Sequence, residues 1–156
     1  MPFGSPSLET LVAITYHEGV VERGLPPSWF ARVTSENAAR LFGLYLRKGT
    51  IWPGSYADLL IIDPDAVWTV RAGDLLGTAG FTPYEGREVR GQPWMTFLRG
   101  HRVLRDGEIH VTPGLGEFVP GDWSTVHLAR DQGPIDEGAH ADALPSRMLR
   151  LGRSER

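Results

Sequence analysis

The stretch that decides the fold is KGTIWPGSYADLLIIDPD, at Lys48–Asp65. Gly49 and Gly54 lie on either side of a short segment, where glycine allows the backbone to bend sharply. Leu59–Ile62 then form an apolar run, a pattern typical of a strand that is covered on both faces. Pro64 is predicted to end this strand, because proline cannot donate a hydrogen bond to a neighbouring strand. The stretch therefore predicts sharp bends that lead into a buried strand.

Three short helices are predicted before this stretch, from apolar residues that recur at helical spacing. The first begins at Ser5-Pro6 and ends at Gly19, the second opens after Pro26-Pro27, and the third runs from near Ser35 to Gly43. Their apolar stripes would pack on a larger object, such as a barrel or a sheet. The stripes are Leu8, Leu11, Val12 and Tyr16; Leu25, Trp29, Phe30 and Val33; and Ala38, Leu41 and Phe42.

From Gly49 to about Val111 the apolar period changes to two, which indicates a sheet. Val67–Val70 is predicted as a second short strand, separated by a long ordered loop at 71–93 from the strand at Trp94–Leu98. The following turns, including Asp106-Gly107, predict a β-meander, because Asp-Gly is a strong hairpin signal. The chain is therefore predicted to have an α+β fold.

Composition excludes several classes of protein. The chain has 156 residues, a net charge of -3 and no cysteine, so disulfides, thiolate zinc sites and cysteine nucleophiles are excluded. Nothing in the charge pattern indicates a nucleic-acid partner, and no apolar run has the length of a membrane span. The first residues lack the pattern of a signal peptide. A cytoplasmic protein is expected.

The order of the motifs resembles that of the amidohydrolase superfamily. Lys48–Asp65 is similar to a segment that leaves the (β/α)8 barrel and enters a small β-sandwich in that superfamily. ENAARLFGLYLRKGTI (Glu36–Ile51) and TPYEGREVRGQPWMTFLRGHRVLRDGE (Thr82–Glu108) extend the likeness to the branch of hydantoinases, dihydropyrimidinases, dihydroorotases and allantoinases. PFGSPSLET (Pro2–Thr10) is similar to a dihydroorotase segment, whereas LYLRKGTI is more hydantoinase-like. These two likenesses point to different substrates, so the motifs do not decide which cyclic amide is cleaved.

The resemblance covers residues 2–118 and implies three regions. Residues 1–48 would be the terminal helical segment of a TIM-type barrel, and residues 49–118 would be part of a composite β-sandwich. Residues 119–156 match no known pattern and are predicted to be a mobile tail, because prolines, glycines and charges are scattered along them.

The chemistry that the resemblance implies is absent from this sequence. The family hydrolyses a ring amide with a metal-activated hydroxide at a binuclear site, with zinc or a similar divalent metal. The resemblance implies a His-x-His pair, a bridging modified lysine, two further histidines and an aspartate. The chain has no His-x-His pair, and Lys48 lies in the segment that follows the last barrel helix. No catalytic or metal-binding residue is therefore assigned, and the chain is expected to hold no cofactor and to be inactive alone.

One binding role is carried over from the resemblance. In dihydroorotase-like enzymes the loop after the last barrel strand offers backbone groups to the ring amide, and Phe3 and Gly4 occupy that position here. Active sites of this barrel type lie on such loops. The alternative is an ordinary turn before a helix, which the permissive backbone of glycine fits equally well.

Other polar and aromatic residues are interpreted as structural. His17 is expected to be a solvated residue near a helix end, and Asp58 and Asp63 to serve turns rather than act as paired acids. Glu85 and Arg87 are interpreted as a structural or interface pair. A phosphate loop is not expected in the glycine-rich stretch 114–121. Five tryptophans are interpreted as packing residues: Trp29, Trp52, Trp68, Trp94 and Trp123.

Three functions of different classes stay open. The chain is a C-terminal fragment of a cyclic amidohydrolase, or a non-catalytic partner that docks on an amidohydrolase barrel, or an unrelated β-rich binding module. Under the first two, self-association or binding to a barrel-bearing chain is expected, because an apolar face would lack its cover. That face is predicted to comprise Leu8, Leu11, Val12, Trp29, Phe30, Leu41 and Phe42.

Overall fold

Two helical runs open the computed structural model, which describes residues 6–122. In the first, α1 (Leu11–Tyr16) continues into a wider π-helical segment, His17–Glu22. The second run is longer and has three consecutive parts: α2 (Pro27–Ala31), a π-helical segment (Arg32–Glu36) and α3 (Asn37–Leu41). None of the helices within residues 6–122 is long and apolar enough to cross a membrane.

The helix boundaries differ from the prediction. Gly19 does not end the first helix; helical backbone runs through it to Glu22, and Gly24 then adopts a φ of +64°. Position 19 requires glycine because it is buried and the Trp29 ring occupies the space where a Cβ would lie. The predicted second and third helices form one continuous run rather than two helices.

One antiparallel sheet follows, with its strands in sequence order. The strands are β1 (Leu59–Thr69), β2 (Glu88–Leu98), β3 (His101–Arg105) and β4 (Glu108–Ile109). The predicted meander and its Asp106-Gly107 hairpin are confirmed. Both residues of that turn have positive φ (51° and 80°), as do Arg99 and Gly100 between β2 and β3 (48° and 80°). Positive φ at both positions is typical of type I′ turns, whose twist suits a hairpin.

The predicted end of the first strand at Pro64 is wrong, because β1 continues through it to Thr69. The strand accommodates proline in a bulge, where the register moves from Asp63 opposite Gln92 to Val67 opposite Arg90. The Asp63 carboxylate holds this bulge by accepting hydrogen bonds from the N–H groups of Asp65 (3.0 Å) and Ala66 (3.3 Å). Val67–Val70 is therefore mostly the end of β1, not a second strand.

The predicted burial of Leu59–Ile62 is also wrong for this chain. Within residues 6–122, β1 is an edge strand, and Leu60 and Ile61 remain 39% and 40% exposed. The predicted loop at 71–93 is shorter than expected, because β2 already begins at Glu88. The apolar run marks a strand correctly but overstates how much of this strand the described residues cover.

Helix α1 packs on β2, and this contact forms the core. Ile14 lies against Val70 and Val89, both fully buried, with Trp68 and Tyr84 packed around them. Two residues further along, the Tyr16 ring lies directly on the backbone of Gly91, where a Cβ would overlap its Cδ1 and Cε1 atoms. The same ring makes a T-shaped contact with Phe30, with ring centroids 5.4 Å apart. Tyr16 therefore joins the sheet to both helical runs.

A polar anchor built on Asp58 holds the Lys48–Asp65 stretch. One carboxylate oxygen of Asp58 accepts from the Lys48 ammonium, and the other accepts from the Arg99 backbone N–H at 2.7 Å. Burial raises the pKa of Asp58, but the hydrogen bonds from Lys48 and Arg99 and the charges of both cations outweigh it, so the pKa lies below its usual value. The anchor ties the segment before β1 to the turn between β2 and β3.

After the sheet, the chain returns to the helical part. Asp122 N–H donates to the Gly43 carbonyl at 2.7 Å, and the Arg47 guanidinium donates to the Pro120 carbonyl. The division into residues 1–48, 49–118 and 119–156 stays a prediction, and residues 123–156 of the predicted mobile tail lie outside the described part.

Replacing Gly91 by alanine is predicted to lower the free energy of unfolding by about 2–4 kcal/mol, from steric overlap with Tyr16 and from its φ of +94°. Gly100→Ala is the matched control, because its φ is +80° but nothing lies within 4 Å of the added Cβ. That control is expected to cost about 1 kcal/mol. Urea unfolding followed by circular dichroism measures both. Equal losses would contradict the Tyr16 contact.

Replacing Asp58 by asparagine is predicted to lower the free energy of unfolding at pH 7 by about 1–3 kcal/mol, because a charge-assisted hydrogen bond is lost. Since the folded pKa of Asp58 is lowered, its contribution is complete above the unfolded pKa of about 3.9 and is lost as the pH falls through the folded pKa. Urea unfolding between pH 7 and pH 2 should thus show the variant and the parent chain converging in acid. Asp65→Asn, at a side chain that is 79% exposed, is the control and should change little.

Candidate functional site

The predicted substrate-binding residues, Phe3 and Gly4, lie outside the described residues, so their role stays a prediction. The described chain next to them is firmly fixed. Thr10 is completely buried, and its hydroxyl donates to the Ser7 carbonyl at 3.2 Å. Both carboxylate oxygens of Glu9 accept from the backbone N–H of Leu76, at 2.9 and 3.2 Å. The segment that follows the predicted binding loop is therefore fastened to the loop after β1.

A groove of about 290 Å³ lies where this segment meets the loop after β1. Its walls are mostly apolar, and they include Leu8, Leu75, Leu76 and Phe81. Glu9 also lines the groove, but its carboxylate is already engaged by the Leu76 N–H. The groove has the character of a packing surface rather than of an acid–base site, since it presents no pair of titratable groups.

His17 has a structural role in the described chain. The prediction that His17 is a solvated residue is wrong. Its side chain is 13% exposed, and its Nδ1 accepts a hydrogen bond from the Arg90 N–H at 3.1 Å. Its partner is 73 residues away in sequence, so sequence spacing could not reveal it. Within residues 6–122 there is no group of three His, Cys, Asp or Glu side chains that could hold a metal ion. His17 is a docking residue between α1 and β2.

The candidate charged residues serve the scaffold. Asp58 and Asp63 act in turns, as predicted, and their carboxylates lie on separate hydrogen-bond networks. The predicted pairing of Glu85 with Arg87 is wrong: Glu85 accepts the Ala72 N–H at 2.7 Å, and Arg87 forms an ion pair with Glu18. Each side chain therefore links its loop to another element, a role that depends on the tertiary fold rather than on local spacing.

The tryptophans divide into packed and open positions. Trp29 and Trp68 pack as predicted, the first on Gly19 and the second on the core. Trp94 is 41% exposed and donates its indole N–H to Asp106 at 2.6 Å, which fixes it over the β3–β4 turn. Trp52 is 45% exposed, so it is not a core residue of the described chain. Trp123 lies outside the described residues.

Large apolar side chains remain exposed along the helical part. Leu8, Leu11, Leu41 and Phe42 have exposed fractions of 88%, 51%, 63% and 56%. Monomeric proteins seldom expose so many large apolar side chains in one region.

The predicted uncovered face needs correction at three positions. Phe30 is buried, with only 8% of its surface exposed, because it packs on Tyr16. Val12 and Trp29 are half-buried. The sequence identified the apolar stripes. It could not show which of their side chains become buried between α1 and α2. The members of that face that remain exposed are Leu8, Leu11, Leu41 and Phe42.

Comparison with known proteins gives these surfaces a context. The family model described as "Amidohydrolase family" matches residues 5–103. The chain is 36% identical over 119 residues to a D-hydantoinase of Geobacillus stearothermophilus, covering 76% of this chain and 25% of the relative. It is 37% identical over 120 residues to a dihydropyrimidinase of Rattus norvegicus, covering 77% and 23% of the two chains.

The solved structures agree. The D-hydantoinase (dihydropyrimidinase) from Thermus sp. superposes with a TM-score of 0.72 and 36% identity, covering 75% of this chain and 26% of that one. The chain thus spans about a quarter of the length of the curated relatives it matches. Because the family model matches more than half of the sequence, the chain belongs to the amidohydrolase family.

Proposed function

We propose that this chain supplies the C-terminal, non-catalytic part of a cyclic amidohydrolase. Its helices would pack on the outer wall of a (β/α)8 barrel, and its sheet would form part of a small composite β-sandwich. The observation that carries the proposal is the match to about a quarter of each hydantoinase, combined with large apolar side chains left exposed on the helices. Surfaces of this kind are typical of an element that packs on a larger body.

The substrate class proposed for the whole assembly is a cyclic amide of the hydantoin or dihydropyrimidine type. The hydantoinase and dihydropyrimidinase names of the relatives support this choice over dihydroorotate. Hydrolysis of the ring C–N bond would take place in the barrel, where divalent metal ions activate water. The residues of this chain would contribute rigidity and position, and the backbone of Phe3 and Gly4 would lie nearest the ring.

The partner of this chain is accordingly a polypeptide segment that carries the barrel and the metal ligands. The sheet supports a second contact with that segment. Within the described residues the outer edge of β1 has no neighbouring strand, and Leu60, Ile61 and Val67 are exposed along it. An unpaired edge with apolar side chains favours the addition of a strand from another segment.

The chain by itself is predicted to bind no pair of catalytic metal ions and to open neither hydantoin nor dihydropyrimidine rings, because no His-x-His pair occurs in its sequence. Calorimetric titration with zinc and with manganese at pH 7 measures binding, and the loss of ring absorbance measures hydrolysis. A metal-free D-hydantoinase is the positive control. Stoichiometric binding of two metal ions by this chain would contradict the proposal.

The chain alone is predicted to self-associate, and co-expression with a D-hydantoinase lacking the matching C-terminal quarter is predicted to give a one-to-one complex. Light scattering after size-exclusion chromatography measures both. Leu11→Glu and Leu41→Glu should each weaken complex formation by about tenfold or more, because a buried charge would replace an apolar contact.

Asn37→Glu is the matched control for these two variants, because it adds the same charge at an exposed polar position of α3. It should leave the complex intact. A cooperatively melting monomer that ignores the barrel segment would contradict the proposal and would favour an independent binding module.

A further inference from the structure

His17 supplies a hydrogen-bond acceptor to the backbone of β2. Arg90 lies beside the bulge in β1, and β3 pairs with β2 only at Met95–Leu98, so the strand pairing is incomplete at this point. The Arg90 backbone N–H donates to the His17 Nδ1 at 3.1 Å, and the His17 side chain is 13% exposed. The sheet thus receives an acceptor from the first helical run.

This hydrogen bond depends on the protonation state of the histidine ring. Nδ1 accepts only while it carries no proton, so the contact requires the neutral imidazole with its proton on Nε2. The protonated ring carries a hydrogen on both nitrogens. Nδ1–H would then face the Arg90 N–H, so that two donors would meet and the backbone N–H would lose its acceptor, which is unfavourable for a largely buried group.

The charged groups around the ring do not reverse this preference. Glu22 Oε1 lies 3.6 Å from His17 Nε2, but the Glu22 side chain is 58% exposed, so water screens its attraction for a protonated ring. α2, which packs on the same π-helical segment, carries no titratable side chain. On β2, Glu88 is exposed to solvent. The other charged side chains at this contact are already paired: Glu18 with Arg23 and Arg87, and Arg90 with Asp65.

We propose that His17 is a proton-sensitive switch, which holds the first helical run on β2 while its ring is neutral and weakens that docking when the ring is protonated. Histidine ordinarily changes its charge between about pH 5 and pH 8. Because the folded chain binds the neutral ring, the contribution of this contact to stability is complete in mildly alkaline solution and is lost as the pH falls through that range.

The switch lies next to the contact of Tyr16 with Gly91, so its protonation loosens the docking of α1 at its centre. The inference is independent of the proposed function, because it concerns only contacts within residues 6–122.

Asparagine is the informative replacement for His17, because its side-chain oxygen accepts a hydrogen bond near the position of Nδ1 but gains no proton. Urea unfolding of the full chain, followed by circular dichroism, is measured at pH 7.5 and pH 5.5 at one protein concentration. His110→Asn is the matched control. The His110 Nε2 also lies 3.6 Å from a carboxylate, that of Glu108, but the His110 side chain is 51% exposed.

On lowering the pH, the unfolding constant of the parent chain is expected to rise about three- to tenfold more than that of His17→Asn. His110→Asn is expected to behave like the parent chain. Equal pH dependence in the parent and in His17→Asn would overturn the proposal. A loss of pH dependence in His110→Asn as large as that in His17→Asn would overturn it as well.

A second measurement needs no variant of His17. The exchange of the Arg90 amide hydrogen is followed by nuclear magnetic resonance in the parent chain and divided by its intrinsic rate at each pH. The reference is the Asp106 amide, which donates to the Trp94 carbonyl at 3.0 Å. Between pH 7.5 and pH 5.5 the protection of Arg90 should fall at least about threefold relative to that of Asp106. A constant ratio would show that the hydrogen bond survives protonation, against the proposal.

Discussion

The contact between the Tyr16 ring and the backbone of Gly91 is the constraint on which the rest of the structure depends. It brings α1 to the surface of β2 at a distance that only glycine permits. The same ring receives Phe30, so the second helical run is placed through it. The polar contacts then follow from proximity: His17 accepts from the backbone of Arg90, and Glu18 meets Arg87. Each lies within a few residues of the Tyr16–Gly91 contact in both segments.

The sequence predicted those features that depend only on neighbouring residues. Asp106-Gly107 predicted a hairpin because its preference for positive φ acts over two residues, and the turn is present. Sequence failed where a distant partner decides. Gly19 was predicted to end a helix, but glycine is needed there because the Trp29 ring occupies the space of a Cβ. Pro64 was predicted to end a strand, but β1 accommodates it in a bulge. Of the candidate site, the sequence assigns no metal ligand, and the binding role of Phe3 and Gly4 stays a prediction.

The family relationship and the exposed surface support the same proposal. The chain matches about a quarter of a hydantoinase and leaves large apolar side chains exposed, as we propose for a segment that packs on a larger body. The Asp58 anchor lies entirely within this chain: a carboxylate with a lowered pKa joins Lys48 and the turn at Arg99. Contacts within the chain thus hold this segment in place, and the proposed function adds contacts with a barrel-bearing segment.

The most direct measurement of the central contact is the chemical shift of the Gly91 α protons by nuclear magnetic resonance. A proton held beneath an aromatic ring is shielded by the ring current, so these protons should be shifted clearly upfield and should show nuclear Overhauser effects to the Tyr16 ring. Tyr16→Leu should return the shift to its ordinary value, while the Gly100 α protons stay unchanged as an internal reference. Ordinary shifts for Gly91 in the parent chain, with no Overhauser effect to Tyr16, would contradict the docking of α1 on the sheet.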